Sequence, residues 1–337
     1  MRAAVFHEFG EPGDVLRCEE VSPPELQDGM VRVRMIGVPV NPSDLMTVRG
    51  GYGIEPELPA TPGYEGVGIV EEGSGVLGKL LKGRRIAVLN KQGGNWAEQV
   101  VIPARQAVPL SSSIPWEQAA MFFVNPTTAY VMTREVLAVP KGEWLLQTAA
   151  GSALGQMVIR LAKHSGFRTL CVVRREEQAE ELRQAGADAC VVFDGAVDAP
   201  EKLRDAVAKV TDGTGVKYAI DPVGGTTATA VVRCLGVGGR LLCFGTLSGQ
   251  DATFSPRHLI GTETRIEGFW LARWMDAQGL FGRISTVRKV ARLISKGVLT
   301  SEVGHVFPLE DVAEAVQVAE ERGRGGKVLI QISDESG

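Results

Sequence analysis

The stretch Trp144–Glu176 reads WLLQTAAGSALGQMVIRLAKHSGFRTLCVVRRE. An apolar run, Trp144 to Thr148, meets a patch of small residues, then a segment with helical apolar spacing, then a second apolar run that ends in two arginines. Strand, tight turn, helix and parallel strand form the unit that sets a helix N-terminus against a phosphate. Aligned on Gly155, the three glycine positions of the dinucleotide fingerprint GxGxxG are held by Ala150, Ser152 and Gly155. All three are small enough for close backbone approach, and Gly151, Ser152, Ala153 and Leu154 form the turn whose N–H groups would meet a pyrophosphate. Where an acidic residue would bind the adenosine ribose of NAD, roughly 20 residues on, the chain has Arg174 and Arg175. A carboxylate there would accept from a ribose hydroxyl, whereas a guanidinium favours a 2′-phosphate through paired charge-assisted hydrogen bonds. The expected cofactor is therefore NADPH rather than NADH. The competing reading, a helix end beside solvated arginines, leaves the small-residue turn unexplained.

The chain has 337 residues, which suggests about two domains. A composition of 44% hydrophobic and 23% charged residues is that of an ordinary globular protein. The formal charge of −4 and the lack of like-charge blocks argue against a nucleic-acid partner. No apolar run is long enough to span a bilayer, and Met1 leads directly into a strand-like run, Ala3 to Phe6, with no visible signal or transit peptide. These features lead us to expect a soluble, cytoplasmic protein without a membrane partner. The five cysteines are scattered with no C-x-x-C pair, and Cys171, Cys190 and Cys243 lie within apolar runs as small hydrophobes.

Residues 1–122 carry short alternating runs, such as Val31 to Val38 and Gly66 to Glu72, separated by Pro/Gly clusters. No helix-period stretch of any length is evident before Ile114, so this part reads as β-rich with coil. A helix is expected after Asn125 and Pro126. Strand–helix alternation then follows, with strands near residues 144, 169, 189, 216, 240 and 265. Six is the number in a complete doubly wound dinucleotide domain. Two helices and a terminal strand, Lys327 to Ile332, lie beyond it and are expected to pack back on the first domain. The expected division is 1–122 with 272–337, and 123–271.

This organisation resembles the medium-chain dehydrogenase/reductase superfamily: an α/β chain with a GroES-like β-rich catalytic domain and a doubly wound Rossmann domain on a six-stranded parallel sheet. NPSDLMTVRGGYGIEPELPATPGYEGVG (Asn41 to Gly68), VNPTTAY (Val124 to Tyr130), AGSALGQ (Ala150 to Gln156), VVRREE (from Val172) and EGFWLARW (Glu267 to Trp274) narrow the resemblance. They closely resemble the trans-2-enoyl thioester reductases of mitochondrial-type fatty acid synthesis, within the quinone-oxidoreductase-like branch. In that family Ser can replace the middle glycine of the turn. Zinc-dependent superfamily members carry a Cys near NPSD and a His before the Glu of GxEGxG. Here those places hold Asn41, Pro42 and Ser43, and Tyr64 before Glu65, so no metal site is expected.

The resemblance implies NADPH-dependent reduction of the C2=C3 bond of an acyl-CoA or acyl-carrier-protein thioester, and a homodimer is what the superfamily suggests. Such chemistry needs a positioned nicotinamide, oxyanion stabilisation and a proton donor. Tyrosine suits the last role, since its pKa of about 10 keeps it protonated. Of the four tyrosines, Tyr52 in GGYG matches the family's proton donor. Tyr64, in the place of the zinc His, is its rival; Tyr130 and Tyr218 read as packing residues. By the same resemblance Asn125 is a cofactor contact, Arg174, Arg175 and Glu176 surround the 2′-phosphate, and Phe269, Trp270 and Leu271 lie on the nicotinamide side. An aromatic pair ending a strand equally reads as core. Phe244, Gly245, Thr246 and Leu247 follow a strand's C-terminal end, where doubly wound sheets bind ligands. Lys327 is transferred on resemblance alone, against its default reading as a surface lysine. Two further readings stay open: an NADPH:quinone or small-enal reductase, and an NADPH-binding protein without turnover.

Overall fold

The computed structural model of the chain describes residues 1–53, 55–321 and 325–334. Chain contacts divide it into two units, Asn125–Leu299 and Met1–Val124 with Thr300–Gly337. The return to the first unit thus falls at Thr300, later than the expected 272. The helices Leu271–Ala277 and Leu280–Ser295 stay with the second unit. Arg160 donates to Val298 O at 3.1 Å and Lys289 pairs with Glu135 at 2.9 Å, which ties this segment to the body it follows.

The second unit is built on six strands: β1 Trp144–Gln147, β2 Arg168–Val173, β3 Ala189–Val192, β4 Val216–Asp221, β5 Leu235–Cys243 and β6 Arg265–Gly268. Their order is β3-β2-β1-β4-β5-β6 and every neighbouring pair is parallel. The order reverses between β1 and β4, the switch point at which such sheets bind ligands beyond their carboxyl ends. Leu145, Leu146, Leu170, Val172, Ala219 and Leu241 are fully or almost fully buried, as expected where helices cover both faces. Helix α1, Ala153–Ser165, follows β1. Its apolar stripe (Leu154, Met157, Val158, Leu161, Ala162) is buried, and Gly166 closes it in the left-handed region. The helix expected after Asn125 forms over Val124–Tyr130 and continues as one π turn, Val131–Val136. There the N–H of Leu137 reaches Met132 O, and Thr133 Oγ1 donates to Ala129 O.

The first unit is β-rich, as expected. Met30–Pro39 is its central strand, pairing antiparallel with Glu65–Gly73, Gln99–Pro103 and the terminal strand Lys327–Gln331. Its core gathers Phe6, Val31, Val33, Met35, Ile86, Trp96 and Ile330. The expectation of no helix before Ile114 fails at Pro42–Arg49 and Gly75–Leu81. The first of these buries Asp44 and Thr47 beside Leu45 and Val48, so its inner face carries no apolar period to read. Its start was nonetheless written in NPSD: Asn41 precedes the first turn, Pro42 occupies it, and Asp44 Oδ2 accepts from Asn41 N–H at 2.9 Å.

One contact fixes the turn between β1 and α1. A Cβ built on Gly155 would lie 2.3 Å from Ala150 O, whereas one on Gly151 meets nothing nearer than Gln178 Nε2 at 3.6 Å. Gly155→Ala should therefore cost roughly 1–3 kcal/mol and Gly151→Ala close to nothing, as read by urea unfolding midpoints. Equal effects would show that the turn is not set by this contact.

Candidate active site

In the second unit the expected cofactor residues other than Asn125 follow carboxyl ends of parallel strands, so they share one edge of the sheet. Ser152 caps α1, its Oγ accepting from Gly155 N–H at 3.1 Å. Ala153 and Leu154 occupy the first turn, where helix N–H groups lack an intrahelical acceptor. Ser152's own N–H is taken by Ala149 O at 2.9 Å, so Ser152 presents its side chain rather than its amide. Gly151 and Ser152 are exposed. With no Cβ at Gly155 and a capped helix of 13 residues behind it, the turn fits a dinucleotide pyrophosphate.

Arg174 and Arg175 are exposed where β2 ends, and among the described residues neither has an ion-pair partner. Glu176 opens the next helix and is drawn away by Arg183 at 2.9 Å. Phe244, Gly245, Thr246 and Leu247 follow β5. Phe244 N–H donates to Asp221 O and Leu247 N–H to Pro222 O, both at 3.0 Å. A Cβ on Gly245 would meet Pro222 O at 2.7 Å, so the two loops close on each other beyond the carboxyl ends of β4 and β5. Phe269 is half-buried after β6, Trp270 is 42% exposed with Arg273 over its ring at 5.3 Å, and Leu271 is buried. The exposure of Trp270 departs from a plain core reading. Asn125 is half-buried in the first turn of its helix.

Asp221, at the end of β4, was not singled out from the sequence. It is fully buried, accepts from Gly224 N–H at 2.7 Å and from Thr148 Oγ1, and burial pushes its carboxyl above the usual range. The sequence signal at this place is DPVGG, Asp221 to Gly225, whose Pro and Gly mark a turn and say nothing of the carboxylate. Tyr130 and Tyr218 are both half-buried. Tyr130 donates to Glu135 Oε1 at 2.8 Å.

In the first unit Tyr52 is half-buried, its ring 6.1 Å from that of Tyr64 in an edge arrangement. The two rival tyrosines thus stand together. Tyr64's hydroxyl bonds to Thr47 Oγ1 at 2.7 Å and its N–H donates to Asp44 Oδ1 at 3.2 Å. Burial raises the Tyr64 phenol above its ordinary value. Behind the pair lies a buried polar network. Asn41 Nδ2 donates to Glu65 Oε1 at 2.8 Å, and Glu65 Oε2 accepts from the N–H groups of Phe123 and Val124 at 3.0 and 2.8 Å. Lys327, 3% exposed, donates from Nζ to Asn41 Oδ1 at 2.6 Å and to Val40 O at 2.7 Å. The default reading of Lys327 as a surface group is therefore wrong.

A zinc ion does not fit these residues. Asn41 is committed to Glu65 and Lys327, and Tyr64, in the place of the histidine, is committed to Thr47. Among the described residues no group of three or more His, Cys, Asp or Glu could hold a metal, and no described helix is long and apolar enough to cross a membrane.

Burial raises Asp44 to about 7, opposed by the Asn41 N–H. The folded state then binds a proton that the unfolded state releases near pH 4, so stability falls as pH rises from about 4 through 7. Thermal unfolding should show a melting temperature that declines between pH 5 and pH 8, and Asp44→Asn should flatten that decline. A slope unchanged in Asp44→Asn would place the titration elsewhere.

Residues 27–112 match the alcohol dehydrogenase GroES-like domain and residues 153–286 match the zinc-binding dehydrogenase domain. Mitochondrial enoyl-[acyl-carrier-protein] reductase of Xenopus tropicalis is 32% identical, over 94% of this chain and 91% of the relative. That of Homo sapiens is 31% identical, over 95% of this chain and 85% of the relative. A putative NADPH:quinone reductase structure from Bacillus thuringiensis superposes with a TM-score of 0.90 at 33% identity, covering 98% of this chain and 99% of that one. Escherichia coli quinone oxidoreductase complexed with NADPH gives 0.88 at 25% identity, covering 98% and 100%. With its GroES-like and Rossmann units and an NAD(P)-type cofactor domain, the chain belongs to the medium-chain dehydrogenase/reductase superfamily, as an oxidoreductase of the branch that holds these enoyl and quinone reductases.

Proposed function

We propose that this protein reduces the C2=C3 double bond of 2-enoyl thioesters, carried on CoA or on an acyl carrier protein, with NADPH. The observation that carries the reading is the Tyr52–Tyr64 pair, set beside a network whose metal-ligand positions are filled by Asn41 and Tyr64. A site without a Lewis acid needs a Brønsted acid, and reduction of an enoyl thioester needs one at Cα. When bound, the reduced nicotinamide supplies the hydride that reaches Cβ. Tyr52 then delivers its proton to Cα of the enolate. Tyr64, anchored by Thr47 and Asp44, packs the edge of its ring and limits where that hydroxyl can go.

For the cofactor, the amides of Gly151, Ala153 and Leu154 and the hydroxyl of Ser152 hold the pyrophosphate in this reading. Arg174 and Arg175 take the 2′-phosphate, and Glu176, held by Arg183, leaves that charge unopposed. Asn125, Phe244 to Leu247 and Phe269 to Leu271 line the rest of the cofactor path in the second unit, and Lys327, buried in the first, acts through the Asn41 amide that it holds. The names of the curated relatives support the thioester substrate.

A second reading, an NADPH:quinone reductase, is favoured by the structural neighbours, which are named as quinone reductases. NADPH oxidation with crotonyl-CoA and with a quinone separates the two. Tyr52→Phe should lower kcat for crotonyl-CoA by about 100-fold or more and leave KM for NADPH near its original value. Quinone turnover that dominates and survives Tyr52→Phe would sink the enoyl assignment. Replacing both Arg174 and Arg175 with Ala should raise KM for NADPH by roughly tenfold or more and leave KM for NADH almost unmoved. A wild-type preference for NADH would reject the role given to the arginines.

A further inference from the structure

Cys171 on β2 and Cys190 on β3 are register partners in adjacent parallel strands, so their side chains leave the same face of the sheet. Neighbouring strands lie about 4.8 Å apart, within the Cα separation a disulfide accepts. Gln147 of β1 occupies the same row, paired with Cys171. Its Nε2 donates both to Cys171 Sγ at 3.3 Å and to Gly155 O at 3.1 Å, while its buried Oε1 has no hydrogen-bond partner. The row Cys190–Cys171–Gln147 thus ends on the glycine that shapes the phosphate turn.

We propose that Cys171 and Cys190 form a reversible regulatory disulfide that loosens the dinucleotide turn through Gln147. This rests on the cofactor reading above for its consequence, though not for the bond itself. The two thiols play different parts. Cys171 is fully buried, whereas Cys190 is half-exposed beside the helix Glu176–Gln184. The neighbouring Cys171 thiol draws Cys190 below the usual thiol range, with Arg183 assisting, while Cys171 itself is held above it. The thiolate is the nucleophile, so Cys190 attacks a peroxide. One oxygen is transferred to sulfur to give a sulfenic acid, and the other leaves as water. Cys171 sulfur then displaces the sulfenic oxygen as a second water, so two thiols and one hydrogen peroxide become one disulfide and two waters. An S–S bond of about 2.05 Å draws Cys171 Sγ toward Cys190, which removes one of the two acceptors holding the Gln147 amide. The Gly155 carbonyl is then left on an unrestrained side chain.

The test treats the full-length protein with equimolar hydrogen peroxide, maps peptides without reduction, and titrates NADPH by fluorescence before and after. The expected result is a Cys171–Cys190 linked peptide lighter by two hydrogens, leaving Cys18, Cys234 and Cys243 alkylatable. NADPH binding should weaken about three- to tenfold, the scale of one lost hydrogen bond, and dithiothreitol should restore it. Cys190→Ser should bind NADPH as the reduced wild type does and ignore peroxide. Separate oxidation of the two cysteines, or no reaction, overturns the disulfide. A linked peptide with unchanged NADPH affinity overturns the coupling. A reduced protein that binds no NADPH defeats the cofactor reading and the coupling with it, while the peptide map still decides the bond.

Discussion

The first unit depends on a buried polar network around one carboxyl, Glu65. Burial holds that carboxyl above its usual range, and a buried polar group left without partners costs about 1–3 kcal/mol, more where it is charged. What offsets this is complete use of its oxygens: one accepts from Asn41 Nδ2, the other from two backbone amides, and Lys327 faces Asn41 from the far side. These groups come from four separate stretches: the start of the NPSD helix, the strand at Glu65, the segment that leads into the second unit, and the terminal strand. Removing one partner leaves a buried polar group unpaired, at about 1–3 kcal/mol and more where that group is charged. An interaction of that size fixes register as well as stability, because Lys327 can reach Val40 O and Asn41 only if the terminal strand pairs where it does, with Leu329 opposite Pro39.

The second unit was legible in the sequence nearly element by element. Its central strands are largely buried on both faces and read as apolar runs bounded by turn residues, and LCVV or KYAI can scarcely be read otherwise. Even the irregular turn was readable, because size at Ala150, Ser152 and Gly155 mattered more than the identity of glycine. The structure puts the absolute demand only on Gly155. The first unit was less legible because its helix at Pro42–Arg49 packs polar side chains inward. A pattern method discards such a helix, yet its capping residues announce it. Lys327 failed for the same reason. A lysine near a chain end reads as solvated until its partners are known, and those partners lie nearly the whole chain away. Asp221 was hidden by its turn chemistry, since DPVGG accounts for itself without a buried carboxylate.

The chemistry of the two candidate substrates differs in where the proton must land. A reduced quinone takes its protons on oxygen, where exchange with water is fast and needs no built acid. An enolate formed from a thioester must be protonated on carbon, which is slower and benefits from a donor held in place. Under the thioester reading proposed above, the surroundings of Tyr52 in the first unit serve such a donor. Tyr64 is pinned by Thr47 and by Asp44, its phenol is kept protonated by burial, and Tyr52 is set against its ring. Asp44, raised to about 7, carries less negative charge near neutrality than an ordinary carboxylate would, so it adds little field against the phenolate that proton transfer creates. A solvent-protonated product would draw no benefit from that arrangement. A carbon acid formed one proton at a time would.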